Sequence, residues 1–478
     1  VIEDRKNLPL CIDLDGTLIS SDSLLESVLN LVKQKPWFLL ILPFWILRGR
    51  NFFKNKTSSY VLPNVGEFPY RKEVLNFIKE EKAKGRKIVL ATATVQPIAD
   101  AVQAHLGLFD EVLGSSENQN LRSSNKASIL VAKFGEKGFD YAGDTPPDLN
   151  VWRKAAGAIL VNTSIQLTLK AEKNGNVIKT FRTEKSGLKL FIKEIRIYQW
   201  LKNILIFLPL FMAHRFLEPQ LFFQVLTAFI SFSLSASSVY ILNDLLDLEA
   251  DRLHPRKKNR PLASGELPLI SGFIGFPLLL LLGIGSSFLF LPLEFSLTLI
   301  TYIILTTAYS FIIKRIYILD IFLLSVLYTI RLLAGAVAVN VPVSKWLLAF
   351  SVFLFFSLAI VKRYTELKVM LEENKTKTSG RGYFVDDIGL LLNIGPASGY
   401  MSVLVFALYI YSNEVIHLYR HPAMLWPVAM CLMFWITRIW FLAHRGKMTD
   451  DPIVFTSKDY VSYIIGLIIA LLVVGAAL

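Results

Sequence analysis

Asp13 and Asp15 stand two residues apart in the string DLDGT (13–17), where the apolar run 8–14 gives way to a glycine turn. Two carboxylates at the end of a strand reach one pocket when the chain turns there. One can attack phosphorus while the other acts as acid and base. Gly16 permits a tight turn and a close backbone approach. Thr92 closes a second apolar run, 86–92, where its hydroxyl and backbone N–H can hold a phosphoryl oxygen, and Lys126 can neutralise phosphate charge. The string GDTPPD (143–148) offers Asp144 and Asp148, two further oxygen donors suited to Mg²⁺.

A second constellation lies far downstream, in NDLLDLEAD (243–251). Asp244, Asp247 and Asp251 are spaced three and four apart and so share one face of a helix. Three carboxylates at the end of an apolar helix are costly unless a cation and water meet them. Mg²⁺ bridging a diphosphate fits that requirement. A solvated helix end is the plainer reading, but it leaves the spacing and the adjoining Asn243 without a reason. The continuation HPRKKNRPLASG (254–265) adds Lys257 and Arg260, cations that can meet diphosphate oxygens.

These residues need elements to position them. The runs 8–14, 86–92 and 157–161 read as buried strands, and 71–83 and 97–106 as helices, an alternation that predicts a parallel α/β sheet. Composition shifts near residues 185–193, which divides the chain into a soluble domain, 1–185, with an insert near 18–75, and a domain 186–478. The second domain drives the 53% apolar content and the mean hydropathy of +0.47, values of a polytopic membrane protein. Nine spans are expected, near 200–214, 219–243, 268–289, 294–313, 318–339, 343–362, 393–412, 423–442 and 460–478. Arg252, Arg256, Lys257, Lys258 and Arg260 follow the second span, Lys314 and Arg315 the fourth, Lys362, Arg363, Lys368, Lys375 and Lys377 the sixth, and His444, Arg445 and Lys447 the eighth. The alternate loops carry little charge. This asymmetry places the basic loops and the soluble domain in the cytoplasm of a cell whose inner membrane holds the chain. It also accounts for the net charge of +13 without nucleic acid. Cys11 and Cys431 have no metal spacing and are not expected to pair. No secretory leader is expected ahead of the first strand.

One segment stands apart. Residues 36–47 (PWFLLILPFWIL) are apolar all round and too short to span. Two readings stay open: a buried helix of a cap subdomain, or an interfacial segment with Trp37 and Trp45 at headgroup level.

The ordered set DLDGT, Thr92, Lys126 and GDTPPD resembles the haloacid dehalogenase (HAD) superfamily over residues 8–165. The resemblance implies Asp13 as nucleophile, forming an aspartyl-phosphate, and Asp15 as the acid that then activates water. It implies Thr92 and Lys126 on the phosphoryl group. Mg²⁺ would be held by Asp13, Asp144 and the backbone carbonyl of Asp15, with Asp148 in support. The insert would be a substrate-selecting cap that leans on the membrane and accepts a lipid-linked phosphate. A degenerate domain kept as a scaffold is disfavoured by the full set of catalytic residue types.

The string 243–265, with AYS (308–310), Lys314 and Asp320, resembles the UbiA superfamily of intramembrane prenyltransferases over about residues 196–478. One departure is informative. Where many members carry a second DxxxD, this chain has KRYTELK (362–368), with Lys362, Arg363 and Lys368 basic and Glu366 alone acidic. That pattern suits a site that grips one more phosphate, such as the 5-phosphate of phosphoribosyl diphosphate. With RIYQWLKN (196–203, including Lys202), IRLLAG (330–335, including Arg331) and the stretch from Arg438 to Asp450, Asp451 and Pro452, it resembles the decaprenyl-phosphate phosphoribosyltransferase branch.

The implied reaction is Mg²⁺-dependent transfer of 5-phosphoribose to a polyprenyl phosphate. Asn243, Asp244, Asp247 and Asp251 bind the diphosphate with its metal, and Lys257 and Arg260 take up charge on the leaving group. Tyr364 and Lys368, with Lys362 and Arg363, hold the 5-phosphate or the lipid phosphate. The HAD domain would then remove the 5-phosphate. An ordinary prenyltransferase is the nearest rival. A scaffold with an inactive HAD domain and a transporter rank lower, the latter because its acids would sit near the bilayer midplane. Lipid length, end pathway and oligomeric state, a homo-oligomer included, stay open.

Overall fold

The computed structural model describes residues 7–116, 119–174, 176–182, 187–372, 381–448 and 451–478. The expected boundary at 185/186, the loop cations Lys375 and Lys377, and Asp450 lie outside the described residues. The chain forms two compact units, residues 1–195 with 241–275, and residues 196–240 with 276–478.

The first unit is built on a six-stranded parallel sheet of order β3-β2-β1-β4-β5-β6, with β1 Leu10–Ile12, β2 Ile88–Val95, β3 Glu111–Ser115, β4 Asp140–Gly143, β5 Gly157–Val161 and β6 Val177–Phe181. β1 lies centrally, Leu10 paired with Ile88 on one side and Asp140 on the other. β1, β4 and β5 are buried along their whole length, as apolar runs covered on both faces should be. One face packs on helices Lys72–Ala83 and Gln96–Leu106 through Val74, Phe77, Ile78, Ile98 and Val102. The other packs on Ser124–Phe134 and Leu149–Lys154 through Leu130, Val151 and Trp152. Strand order reverses between β1 and β4, so their carboxyl ends open a crevice where such sheets bind ligands.

The insert after β1 forms α1 (Ser23–Gln34), α2 (Leu42–Leu47) and α3 (Arg50–Tyr60). The 36–47 segment fits neither single reading. Phe38, Leu42 and Trp45, four and three residues apart, turn inward with Val28, Leu31 and Val61. Trp45 stacks on Tyr60 at 5.6 Å and is buried, as the cap reading has it and the interfacial reading does not. Trp37, Leu39, Leu40, Phe44, Ile46 and Leu47 are exposed, Leu40 at 77% and Leu47 at 83%. A helical turn shows two faces, and only one is satisfied by the cap.

Among the described residues, eight helices are long and apolar enough to cross a membrane: Pro219–Leu246, Leu269–Phe290, Leu293–Phe311, Leu319–Ala338, Lys345–Glu372, Val385–Ile410, Pro422–His444 and Tyr460–Ala477. The segment expected to be the first span is a shorter apolar stretch, Ile197–Met212, wound mostly as a 3₁₀ helix. Its backbone presses against Gly335, where a Cβ would clash with the Ile206 carbonyl. Tight winding and this close approach hold the stretch inside the second unit through Ile206 and Leu210, both fully buried.

Candidate functional sites

In the first unit, β1 delivers Asp13 and β4 delivers Asp144 to the same crevice. Asp13, Asp144 and Asp148 each offer a carboxylate oxygen within 4.8 Å of the others. Lys126 reaches in from its helix, buried, with Nζ 2.8 Å from Asp13 Oδ2 and 2.7 Å from the Tyr141 hydroxyl to which it donates. That hydroxyl donates to Asp148 Oδ1 at 2.9 Å, and Asp148 Oδ2 accepts from the backbone N–H of Asp144 and Thr145. Asp148 therefore fixes the turn that aims Asp144. Burial, then the neighbouring carboxylates of Asp148 and Asp13, push the Asp144 carboxyl up to about 8. Asp13 is also raised by burial, with Lys126 opposing. Crowded acids with raised affinity for protons are a donor set that fits a divalent cation. Gly16 has φ +73°, and a Cβ there would strike the Asp144 carboxylate, so the turn needs glycine twice over.

Asp15 faces elsewhere. Its carboxylate accepts from the Ser23 N–H at 2.8 Å, the Ser23 hydroxyl at 3.1 Å and the Thr94 hydroxyl at 2.7 Å. Burial, and then Asp22, raise its pKa. The carboxylate stands outside the acid cluster; the atom that the family resemblance assigns to metal is its backbone carbonyl. Thr92 is fully buried within β2, which runs three residues beyond it to Val95. The strand does not end where the apolar run suggests, because alternation continues through ATATV. Thr94, Ser23 and Tyr141 are the residues that reading missed. Thr94 is one strand period on from Thr92, and Ser23 follows the helix cap Asp22, so both carry a local signal.

The acidic motif does not lie on one unbroken helix. Pro219–Leu246 ends before Asp247, and Asp251 belongs to a separate short helix, Leu248–Leu253. Asp244 and Asp251 are both buried and meet through Arg260, whose Nη1 donates to Asp244 Oδ1 at 2.8 Å and also to Asp251 Oδ2. Lys257 Nζ stands 3.8 Å from Asp251 Oδ1. Burial raises Asp251, with Arg260 opposing. Asp247 and Asn243 are half-buried, with the Asp247 N–H donating to the Asn243 carbonyl at 2.9 Å. The donors are hard oxygens with a guanidinium among them, a set whose chemistry fits a metal–diphosphate. Arg252, expected only as one of the basic loop residues, has a specific acidic partner. Its guanidinium grips Glu26 of α1 bidentately, at 2.6 and 3.1 Å, with both side chains buried.

In the second unit the basic string 362–368 diverges, since successive helical residues point 100° apart. Lys362 Nζ lies 3.8 Å from Asp451 Oδ2, which Lys202 also meets at 2.5 Å. Arg363 is fully buried and spent on Asp320, Glu366 and the Tyr309 hydroxyl. Tyr364 meets His444 Nδ1 at 2.9 Å, and Lys368 donates to the His444 carbonyl. Arg331 is held by Asn203 at 2.9 Å and the Tyr302 hydroxyl at 3.1 Å, among the rings of Phe232, Tyr302 and Tyr328. Arg363 and Arg331 thus tie helices together, and Lys202 with Lys362 forms the cation pair.

Two families match the chain. Residues 204–458 match the UbiA prenyltransferase family, and residues 10–151 match haloacid dehalogenase-like hydrolases. The uncharacterized protein y4nM of Sinorhizobium fredii is 40% identical over 470 residues, 98% of this chain and 90% of that one. The decaprenyl-phosphate phosphoribosyltransferase of Mycobacterium tuberculosis is 36% identical over 183 residues, 37% of this chain and 59% of that one. A solved UbiA homolog from Archaeoglobus fulgidus, bound to GPP and Mg²⁺, aligns with a TM-score of 0.45 at 14% identity, over 60% of this chain and 97% of that one.

Proposed function

This chain belongs to the UbiA prenyltransferase family, and from that premise we propose that it is a bifunctional enzyme of the cell's inner membrane. Its membrane domain, residues 186–478, transfers 5-phosphoribose from phosphoribosyl diphosphate to a polyprenyl phosphate. Its HAD domain, residues 1–185, faces the cytoplasm and removes the 5-phosphate from the lipid product.

The observation that carries the donor assignment is the pairing of Lys202 and Lys362 on Asp451. Among the described residues, these two lysines share one carboxylate. Two cations against one anion in a largely buried setting call for a further anion, and a 5-phosphate supplies it. The partial likeness to decaprenyl-phosphate phosphoribosyltransferases supports the same donor.

In the transfer, Asn243, Asp244, Asp247 and Asp251 orient the diphosphate. Arg260 and Lys257 turn from the carboxylates to the departing pyrophosphate. A phosphate oxygen of the lipid bonds to C1 of the ribose as the C1–pyrophosphate bond breaks. Tyr364 and Lys368 serve the lipid phosphate. Arg331 and Arg363 hold the helices that carry these groups. In the second step Asp13 attacks the 5-phosphate phosphorus, Asp15 gives its proton to the leaving sugar oxygen, and Lys126 with Thr92 steadies the phosphoryl group. Water activated by Asp15 then releases phosphate from Asp13. Mg²⁺ held at Asp13, Asp144 and the Asp15 carbonyl, and at the 244–251 motif, would neutralise phosphate charge in both steps.

The exposed face of 36–47 supports a lipid-linked substrate for the HAD site. Phe273, in the first turns of the span Leu269–Phe290, packs against the cap cluster of Phe38, Leu42 and Trp45. The uncovered Trp37, Leu40, Phe44 and Leu47 thus sit beside the start of a membrane helix, with Lys33, Lys35, Arg48 and Arg50 flanking them for acidic headgroups.

The test is to supply purified protein with Mg²⁺, radiolabelled phosphoribosyl diphosphate and a polyprenyl phosphate. A labelled lipid, converted to a less charged species by wild type and not by Asp13→Asn, is expected. No labelled lipid where a prenyl diphosphate does react would replace this reading with ordinary prenyl transfer.

A further inference from the structure

Helix α1 of the phosphatase cap touches both Asp15 and the short helix that carries Asp251. At its first turn Ser23 holds the Asp15 carboxylate. In the same turn Glu26, buried, accepts from Arg252 Nη2 at 2.6 Å and Nη1 at 3.1 Å, and from the Ser21 hydroxyl at 2.5 Å. One turn on, Asn30 Nδ2 donates to Glu249 Oε1 at 2.9 Å. Glu249, Asp251 and Arg252 share the six-residue helix Leu248–Leu253. A helix that short does not hold itself in water and takes its geometry from what it packs against. The other donors of Arg252 go to the Glu67 carbonyl and the Ala263 carbonyl, each at 3.0 Å. The second of these ties down the loop that returns Arg260 to Asp244 and Asp251. Beside it, Ser20 donates to the Ser264 carbonyl at 3.4 Å, and Gly265 leaves no room for a Cβ against Ser20.

We propose that Glu26 and Arg252 are a positioning pair through which the phosphatase cap sets the geometry of the acidic transferase motif, so that diphosphate binding at that motif requires the cap. The proposal rests on the reading of 244–251 as a diphosphate site. Arg252 is adjacent in sequence to Asp251 and is fixed by two anchors in the cap, Glu26 and the Glu67 carbonyl. Removing the Glu26 charge leaves a buried guanidinium without its counter-ion. The short helix then loses its registration, and Asp251 and Arg260 lose theirs with it. Groups that orient metal-binding carboxylates from behind typically govern affinity by about 10- to 100-fold.

Pyrophosphate leaves in transfer from either kind of donor, so its binding reads the motif whichever donor is used. The experiment measures Mg²⁺-dependent binding of radiolabelled pyrophosphate to the full chain carrying Asp13→Asn, with Asp247→Asn added as the blank. Glu26→Gln and Arg252→Gln are expected to weaken binding by about tenfold or more and to raise the Mg²⁺ concentration needed. The exchanged pair Glu26→Arg with Arg252→Glu should recover part of the loss. Should Glu26→Gln not fold, Ser21→Ala and Asn30→Ala probe the same seam and should each weaken binding about two- to threefold. Variants that fold and bind as the parent does, at the same Mg²⁺ concentration, overturn the coupling. A parent that binds no pyrophosphate above the blank overturns the diphosphate site, and the proposal with it.

Discussion

The two acidic sites solve the same electrostatic problem in opposite ways. At the crevice of the sheet, Asp13, Asp144 and Asp148 crowd together, with buried Lys126 paired to Asp13 and Asp148. Burial and the neighbouring carboxylates disfavour a further negative charge there, and push the Asp144 carboxyl up to about 8. At the membrane motif, Asp244 and Asp251 are clasped by Arg260 from their own loop. The first site is a cluster of acids whose donor set fits a cation. The second has a guanidinium among its acids, which under the proposed reaction turns to the diphosphate. Rigid strands make the first arrangement possible. A broken helix and a loop make the second.

The contrast is broken most directly by removing one acid from each site. Asp13→Asn should lower phosphate release by about 10³-fold or more and leave lipid transfer intact, while Asp247→Asn should abolish transfer and leave phosphate release from a supplied phosphoribosyl lipid intact. Both activities falling together in either folded variant would mean one site, not two. Next in size is Arg260→Ala. It leaves Asp244 and Asp251 buried side by side without their cation, and transfer should fall about 10²-fold as stabilisation of the leaving group is lost. Unchanged transfer kinetics would show that Arg260 serves only the resting motif.

Lys202→Gln sharpens the donor side of the comparison. It should raise the KM for phosphoribosyl diphosphate by about tenfold, the order of one charge-assisted contact, with kcat little changed. An equal change for a prenyl diphosphate donor would detach Lys202 from the 5-phosphate. The smallest effect is in pH dependence. Asp13, Asp15 and Asp144 all have raised pKa values when folded and titrate near 4 when unfolded. Asp144 therefore takes up a proton on folding between about pH 4 and about pH 8, Asp13 and Asp15 act in the same direction, and this contribution to stability is lost as pH climbs. In chelator, the melting temperature should fall by a few degrees from about pH 5 to about pH 8, and saturating Mg²⁺ should flatten the trend. A metal-free melting temperature that rises with pH would show that the crowded acids are not protonated at rest.

Much of this was legible in the sequence, and for specific reasons. DLDGT and GDTPPD lie at strand ends, where a local string fixes both the strand and the turn after it. Asp13, Asp144 and Asp148 meet, as the resemblance to the HAD superfamily implied. Lys126 was placed by its type and its order along the chain, and it reaches Asp13. The string 362–368 was harder. As a line of cations it reads as one basic patch, but on a helix Lys362, Arg363 and Tyr364 face three ways. Which of them stays available for an anion depends on Glu366, three residues from Arg363 in the same string, and on Asp320 and His444, which no local pattern ties to it. The 36–47 run shows the same limit: its composition is apolar throughout, and only packing separates inward Phe38 and Trp45 from outward Trp37 and Leu47.

The sequence by itself determined the class of each region, because strand ends, helical spacing and runs of about 20 apolar residues are local patterns with local causes. Tertiary structure alone decided which charges are spent and which remain. Arg331 and Arg363 are consumed in packing, Arg260 clasps two acids, and Arg252 crosses to Glu26, 226 residues away. A buried charge must find a partner wherever the fold brings one within reach, and that partner is set by distance in space, to which distance along the chain is no guide.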